Sequence, residues 1–557
     1  MKMNLLTTIK LKYTGVKLGY AFLVSILLYT SISCNDNVLD IAPSDRYSDL
    51  EVWQDGGLIE AFVNNAYAVV PTGFLYPFRN NLSCYADEIY YRGGGTDYIN
   101  AGDITADRLY NLDRWNGSQS YWDVVTKTNI FFQNIGTSEI DEDLKARMKG
   151  EMNFLRAYAY FMLNQMWGGV PLITEPFELD SNFDVPRASY DECMNFVIQE
   201  LDNAIALLPT TYADEDLGRV TKGSALALKS RATLYAASPL VNKSNDMAKW
   251  QEAADAAKAV IDLGVYSLFN NYKTLFLREN MYNSEIIWAK PFNYPISTER
   301  SFVELALYPN GYGGYGQPHP IQNIIDDYET TNGLLPENDP SYDDQNPYVN
   351  RDPRFYYSIF YDGAPFQGRE VQTYLPGGLD TRESPISPWN ATETSYYLRK
   401  FCDDKIEGPN TINQGNSPYI FIRYAEVLLN YAEAMYHLGD EATCREYLNM
   451  IRSRPGVEMP PITESGDELL ARMRNERRIE LAFEEQRYFD VRRWMIAPEV
   501  LNENASRMEI YRDPDTGKKT YTVAEFNERS FSDKNYWLPI PLSEIEKDAN
   551  LEQNPGY

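Results

Sequence analysis

Histidine is almost missing from this chain: its 557 residues include two, His319 and His437. Metal hydrolases and Ser-His-Asp systems need imidazole as a ligand or base, usually with partners nearby. His437 sits in a helical pattern beside Leu438, so the composition argues against both classes. The strings H-E-x-x-H, G-x-S-x-G and G-x-x-x-x-G-K-[ST] do not occur. Gly93-Gly94-Gly95 lacks the lysine of a phosphate-binding loop and reads as an ordinary loop. Cysteine is scarce too, with five in all and no C-x-x-C pair, which argues against a zinc knuckle or a thioredoxin-like site. Cys193 and Cys444 lie in helical patterns and read as core thiols. No cofactor and no metal are expected. Asp513-Pro-Asp515-Thr-Gly517 has part of a calcium-loop pattern but lacks the distal glutamate, and reads as a hairpin turn.

Basic charge is also short. Against 51 Lys and Arg stand 80 Asp and Glu, a formal charge of −29. Such a surface repels nucleic acid and anionic membrane, and no basic patch interleaved with aromatics offsets it, so nucleic acid is not an expected partner. Long apolar runs are missing as well. The longest, Leu18–Leu28, falls short of the roughly 20 residues that a permanent membrane helix needs.

That run belongs to a leader. Lys2, Lys10, Lys12 and Lys17 form a basic front, the apolar core follows, and Ser31-Ile32-Ser33 precede Cys34, so residues 1–33 read as an export signal. Small residues before a cysteine suit a lipoprotein signal peptidase, which would leave Cys34 as the lipidated first residue. Acyl chains on one cysteine bury many methylenes at about 0.8 kcal/mol each, enough to tether a soluble body to a membrane.

The mature chain, 34–557, is dominated by helix pairs. Residues 424–457 read as two helices around Gly439-Asp440, with Gly439 suited to the left-handed position after a helix and Asp440 to an N-cap. Residues 221–264 repeat the pattern, and 145–165 with 189–208 form another candidate pair. Lengths and small residues match tetratricopeptide-like packing. The expected fold is predominantly all-α: one large body of helix pairs with long irregular insertions carrying few short strands. A helical scaffold is expected over about 45–290 and 418–497, a loop-rich ligand lobe over about 291–417, and a C-terminal segment over 498–557.

The loop-rich lobe stands out by composition. Residues 291–417 hold fourteen Pro, eleven Gly, thirteen Tyr and Trp389. Long irregular insertions are usually functional or disordered, and this aromatic content argues against disorder. A second irregular stretch, Pro71–Trp115, holds Tyr85, Asp87, Tyr90, Tyr91, Arg92, Asp113 and Trp115.

One stretch is unusually charged. Glu468–Trp494 reads ELLARMRNERRIELAFEEQRYFDVRRW, with thirteen of its 27 residues ionic. It reads as one or two helices, with Arg477/Glu480 and Arg487/Asp490 at i,i+3 spacing for ion pairs, and as a salt-bridged scaffold. Its string NERRIELAFEEQRYFDVRRW resembles the C-terminal fingerprint of the SusD/RagB family, the lipid-anchored nutrient-binding subunits of Gram-negative outer-membrane uptake systems. Residues 148–173, 219–237, 420–439 and 536–557 are similar to four further family blocks, in the family's order.

The resemblance implies a non-catalytic, surface-exposed lipoprotein of the outer membrane, tethered through Cys34. It would cap a SusC-like TonB-dependent transporter, capture an oligosaccharide or polysaccharide and deliver it when the lid closes. Some family members serve peptide uptake, so a peptide is the alternative ligand. An all-helical glycoside hydrolase, which needs only two carboxylates about 5–10 Å apart, and a scaffold that binds nothing itself are the other readings. Sugars offer an apolar ring face for an aromatic plane and hydroxyls for carboxylates, amides or arginine. Loop residues on a rigid scaffold suit that role. Trp53, Trp122, Trp167, Trp250, Trp288, Trp494 and Trp537 lie in periodic segments or family blocks and read as structural. The candidate platforms are therefore Trp115 and Trp389, followed by Tyr90, Tyr91 and Tyr294, with Asp87, Asp113 and Arg92 as polar partners.

Overall fold

The computed structural model describes residues 52–74, 78, 81–92, 96–117, 120–178, 181–293, 301–408 and 414–557. Cys34 and Tyr294 lie outside the described residues. Contact density divides the chain into two units. The described residues of the first are 52–59 and 137–140, where the Gln54 amide donates to the Thr137 carbonyl at 3.3 Å. The second comprises 60–136 and 141–557.

Counting helices of eight residues or more, the described chain forms α1 (Gly56–Ala68), α2 (Tyr121–Ile135), α3 (Glu142–Trp167), α4 (Tyr190–Leu207) and α5 (Lys222–Ala237). These are followed by α6 (Met247–Asp262), α7 (Tyr424–His437), α8 (Glu441–Arg452), α9 (Gly466–Glu480) and α10 (Gln486–Arg493). Each of α2 to α6 packs on the next in order, and α7 packs on both α6 and α8. This is the tetratricopeptide-like stacking expected of the periodicity. Helix starts follow local chemistry. Ser189 caps α4 in a capping box with Glu192, Asp141 caps α3 through the Leu144 N–H, and Asp440 caps α8 through the Thr443 N–H. Gly439 turns the chain between α7 and α8 at φ 85°.

Strands are short: β1 (Ile89–Tyr91), β2 (Ile286–Lys290), β3 (Pro318–Pro320), β4 (Ile359–Phe360), β5 (Pro365–Phe366), β6 (Arg369–Glu370), β7 (Tyr397–Leu398), β8 (Tyr419–Arg423), β9 (Ala505–Arg512) and β10 (Lys519–Asn527). They pair two by two and antiparallel, as β1–β3, β2–β8, β4–β7, β5–β6 and β9–β10. Between β2 and β8, Trp288 stacks on Phe421 with ring centroids 3.8 Å apart, and Phe154 and Tyr158 of α3 meet Trp288 edge-on. That aromatic joint ties α3 to the two strands that flank the loop-rich segment. The four described cysteines are free and buried, Cys193 and Cys444 among them, as helical core thiols should be. Residues 513–518 form the β9–β10 turn, where Asp513 Oδ1 accepts from the Asp515 and Thr516 amides and Gly517 takes φ 71°. The segment is a hairpin turn, as read.

The charged stretch forms two helices, but its ion pairs are not those suggested by spacing. Arg477 pairs with Asp490 of α10 at 2.9 Å rather than with Glu480. Arg487 reaches Asp87 at 2.7 Å rather than Asp490. Glu480, fully buried, takes Arg423 at 2.7 Å, Arg454 at 2.8 Å and Arg354 at 3.0 Å. Helix spacing assumes a solvated face. Here both faces are covered, so these partners come from other elements, while Asp490 keeps Arg493 of its own helix at 2.8 Å.

The break between α9 and α10 holds Phe483 and Glu485 at φ 65° and 66° without a glycine, a conformation that costs non-glycine residues of order 1–3 kcal/mol. Two bonds secure it: Glu88 Oε1 accepts the Phe483 N–H at 3.0 Å, and Glu485 Oε1 accepts the Leu82 N–H at 2.6 Å.

Candidate functional site

The sequence-selected residues separate into buried and exposed groups. Trp115 is 6% exposed and meets Trp122 and Trp167 edge-on, with centroids 5.2 and 5.3 Å away. It fills an aromatic core under its own loop and offers no free face. Asp87 is buried, with Arg487 at 2.7 Å and Arg478 at 3.1 Å. Burial alone would raise its pKa, but the two guanidiniums hold the carboxyl well below the usual range. Tyr91 is buried in β1. Asp113 accepts the amides of Trp115 and Asn116 at 3.0 and 2.8 Å, as a turn former. Trp115, Asp87 and Tyr91 are thus buried, and Asp113 is half-buried with Oδ1 engaged in its turn.

Trp389 is the opposite case, 69% exposed on a short 3-10 turn, Pro388–Asn390, entered through Ser387 at φ 44°. Arg92 reaches that turn from across the chain. Its Nη2 donates to the Trp389 carbonyl, and its Nη1 to Glu393 Oε1 at 2.9 Å. Tyr90 is half-buried behind it, edge-on to Phe526 of β10 at 5.0 Å and 5.9 Å from the His319 ring. Burial raises its phenol above the ordinary value, and Asp97 and Glu393 add to the rise. The structure therefore brings Tyr90, Arg92 and Trp389 into one neighbourhood.

Beside them opens a cleft of about 490 Å³. One wall is the loop from Pro388 to Ser395 with Arg92, another is Asp380–Arg382, and the third is the β9–β10 hairpin. Strand alternation aims Arg507, Glu509 and Tyr511 of β9 to one side. Thr520 and Thr522 stand opposite Tyr511 and Glu509 in the register. The hairpin is fixed against the loops: Met508 N–H donates to the Thr394 carbonyl at 3.2 Å, and Leu375 N–H to the Ile510 carbonyl at 2.9 Å.

Sequence reasoning missed this hairpin face, Tyr511 (52% exposed) above all. The alternation of polar and apolar residues in ASRMEIYR was the available signal. A stacked pair was missed as well: Tyr98 and Tyr110, 5.9 Å apart and 10° from parallel, both stand exposed.

Three carboxylates line the cleft, and each has an arginine. Glu393 pairs with Arg92 at 2.9 Å, Asp380 with Arg369 at 2.7 Å and Glu509 with Arg507 at 2.5 Å. A glycosidase needs one carboxyl kept protonated in an apolar setting and a second placed across the bond. The cleft offers ion-paired rims and the Tyr511 ring, which can grip a polyhydroxylated or amide-bearing chain.

Matches to known proteins follow the same lines. Residues 279–557 match the model of the SusD family, and residues 84–234 match one described as starch-binding associating with outer membrane. A solved SusD-like protein from Bacteroides fragilis is 30% identical, aligns over 93% of this chain and 100% of its own, and superposes with a TM-score of 0.78. A SusD-like carbohydrate-binding protein from the same species is 26% identical over 90% of this chain and 100% of its own, also with a TM-score of 0.78. SusD-like protein P25 of Formosa agariphila is 24% identical over 82% of this chain and 81% of its own. The chain belongs to the SusD family.

Proposed function

We propose that this protein is a lipid-anchored, non-catalytic binding subunit at the outer-membrane surface. It captures an oligosaccharide or polysaccharide in the cleft beside Arg92 and passes it to a SusC-like TonB-dependent transporter. The observation that carries the reading is Trp389, an indole 69% exposed that follows Pro388, a residue of the cleft wall. An aromatic face left in water with charged and hydroxyl groups around it suits a sugar ring. Family membership supports the binding role, as do the starch-binding family matched over residues 84–234 and the carbohydrate-binding relative from Bacteroides fragilis. Among the described residues no helix is long and apolar enough to cross a membrane, which fits an anchor at Cys34.

The test is calorimetric titration of the chain beginning after Cys34 against plant, host and microbial glycans and a mixed peptide set. A glycan that binds wild type and is lost on Trp389→Ala supports the reading. Binding of peptides alone would transfer the role to peptide capture, and release of reducing ends would replace binding with hydrolysis. The tether and the partner have their own tests. Radiolabelled palmitate should enter the wild-type precursor and not Cys34→Ser, and the anchored protein should co-purify with the transporter.

A further inference from the structure

We propose that His319 is a positioning residue for the cleft: it fixes the backbone of the loop that presents Trp389 and Glu393. The inference rests on the binding role assigned to that loop above. His319 sits in the middle of β3, directly opposite Tyr90 in the β1–β3 register, and is 2% exposed. Its strand is Pro-His-Pro, so both neighbours have fixed φ and no N–H. The side chain therefore stands on a stiff piece of chain.

From there Nδ1 accepts the Glu393 N–H at 3.3 Å. An imidazole that accepts at Nδ1 carries its proton on Nε2. The ring is thus tied through Nδ1 to the loop.

The other grip on this part of the loop is Arg92, through the Trp389 carbonyl and the Glu393 carboxylate. The side chains of Arg92 and Glu393 are 44% and 35% exposed, and water screens an ion pair that exposed. The His319 hold differs in being buried and carried on a proline-flanked strand. Burial, and then the positive charge of Arg92, push the imidazole down to about 3, so the acceptor stays neutral across the working range. Arg92 follows β1, and His319 lies on its partner β3. One small sheet therefore sets both the cationic rim and the aromatic loop facing it.

Three variants separate this role from simple packing. His319→Phe keeps ring volume and deletes the acceptor. His319→Asn restores an acceptor near the Nδ1 position. His319→Gln places its amide near the Nε2 position but not toward Glu393. The first readout needs no ligand: hydrogen exchange of peptides covering residues 388–395. We expect exchange there to quicken by about tenfold in His319→Phe and His319→Gln and to return toward wild type in His319→Asn.

The second readout is retardation in gels containing soluble starch, xylan or β-glucan. Any polysaccharide that retards wild type should lose about tenfold in affinity in His319→Phe and recover in His319→Asn. Unchanged exchange in His319→Phe overturns the inference, as does faster exchange with undiminished retardation. If His319→Phe does not fold, the contrast between His319→Asn and His319→Gln decides alone. If no polysaccharide retards wild type while exchange responds as expected, glycan capture fails and the loop-holding role stands.

Discussion

Arg487 and Asp87, 400 residues apart in sequence, form a two-pronged buried ion pair, Nε to Oδ1 at 2.8 Å and Nη2 to Oδ2 at 2.7 Å. The bond joins the charged C-terminal fingerprint to the irregular stretch that leads into β1. It also places Arg92 and Tyr90, a few residues further on, against the rest of the site. Removing one partner of a buried pair leaves an uncompensated charge, a cost of about 3–5 kcal/mol. Asp87→Ala should therefore lower the urea midpoint sharply. The double variant Asp87→Leu, Arg487→Met should recover much of the loss. A single-variant cost below about 1 kcal/mol would mean that the pair is not what joins these segments.

The two tryptophans once comparable as platforms should now behave oppositely. Trp389→Ala deletes a side chain that is 69% exposed, so stability should move within about 0.5 kcal/mol while glycan affinity collapses. Trp115→Ala removes the hub of an edge-on triad and should cost about 3–5 kcal/mol, with affinity intact in the fraction that folds. Chemical unfolding beside calorimetric titration reads both. An exchange of these outcomes would move the binding surface to the other loop.

Buried acids give the stability a direction in pH. Glu88 and Glu304 are fully buried, and burial pushes both up to about 7, against the hydrogen bonds each accepts from backbone amides. Unfolded glutamates ionise near about 4.3. Between those values the unfolded chain binds fewer protons than the native one, so stability falls as pH rises. Each acid contributes a drop of roughly 3 kcal/mol across that window. Glu304→Gln should flatten the decline between pH 5 and 7 in a series of melting temperatures. A slope identical to wild type would show that Glu304 is already ionised. Glu433 works the other way. Burial opposes its charge, but Arg493 holds it down to about 2, so its contribution is present above the unfolded value and lost as pH falls toward 2.

A fourth expectation concerns the Gly168-Gly169 pair after α3. Gly169 has φ 108°, and an added Cβ would lie 2.4 Å from the Ala188 carbonyl oxygen. The atoms it would meet are backbone of residues 188–190, so Gly169→Ala should destabilise by roughly 2 kcal/mol or more. Gly264, at φ 69° with the nearest neighbour 3.9 Å away, should lose less on the same change, about 1 kcal/mol. Equal melting temperatures for the two variants would contradict the close approach.

Much of this fold was readable from sequence because helix pairing is a local matter. The positions of Ser189, Gly439 and Asp440, and the spacing of apolar residues on α3 to α8, depend on neighbours three and four residues away. The hairpin turn at Asp513 was legible for the same reason, and the family blocks carried the fold class with them.

The site was a different matter. Composition located the irregular segments, but whether an aromatic within them faces water or its own core depends on what packs behind it. Trp115 and Trp389 sit in similar company in sequence and end at 6% and 69% exposure. The charged fingerprint shows the same division: its helices were legible, yet Arg487 passes over Asp490 for Asp87 because burial removes water as a competitor and a distant carboxylate fits better. The sequence by itself determined the helices, their pairing and the family. Tertiary structure alone decided which charges are spent on the fold and which remain free for a ligand, since an ion pair or an aromatic face gains its role from desolvation, and desolvation comes from every segment that packs around it.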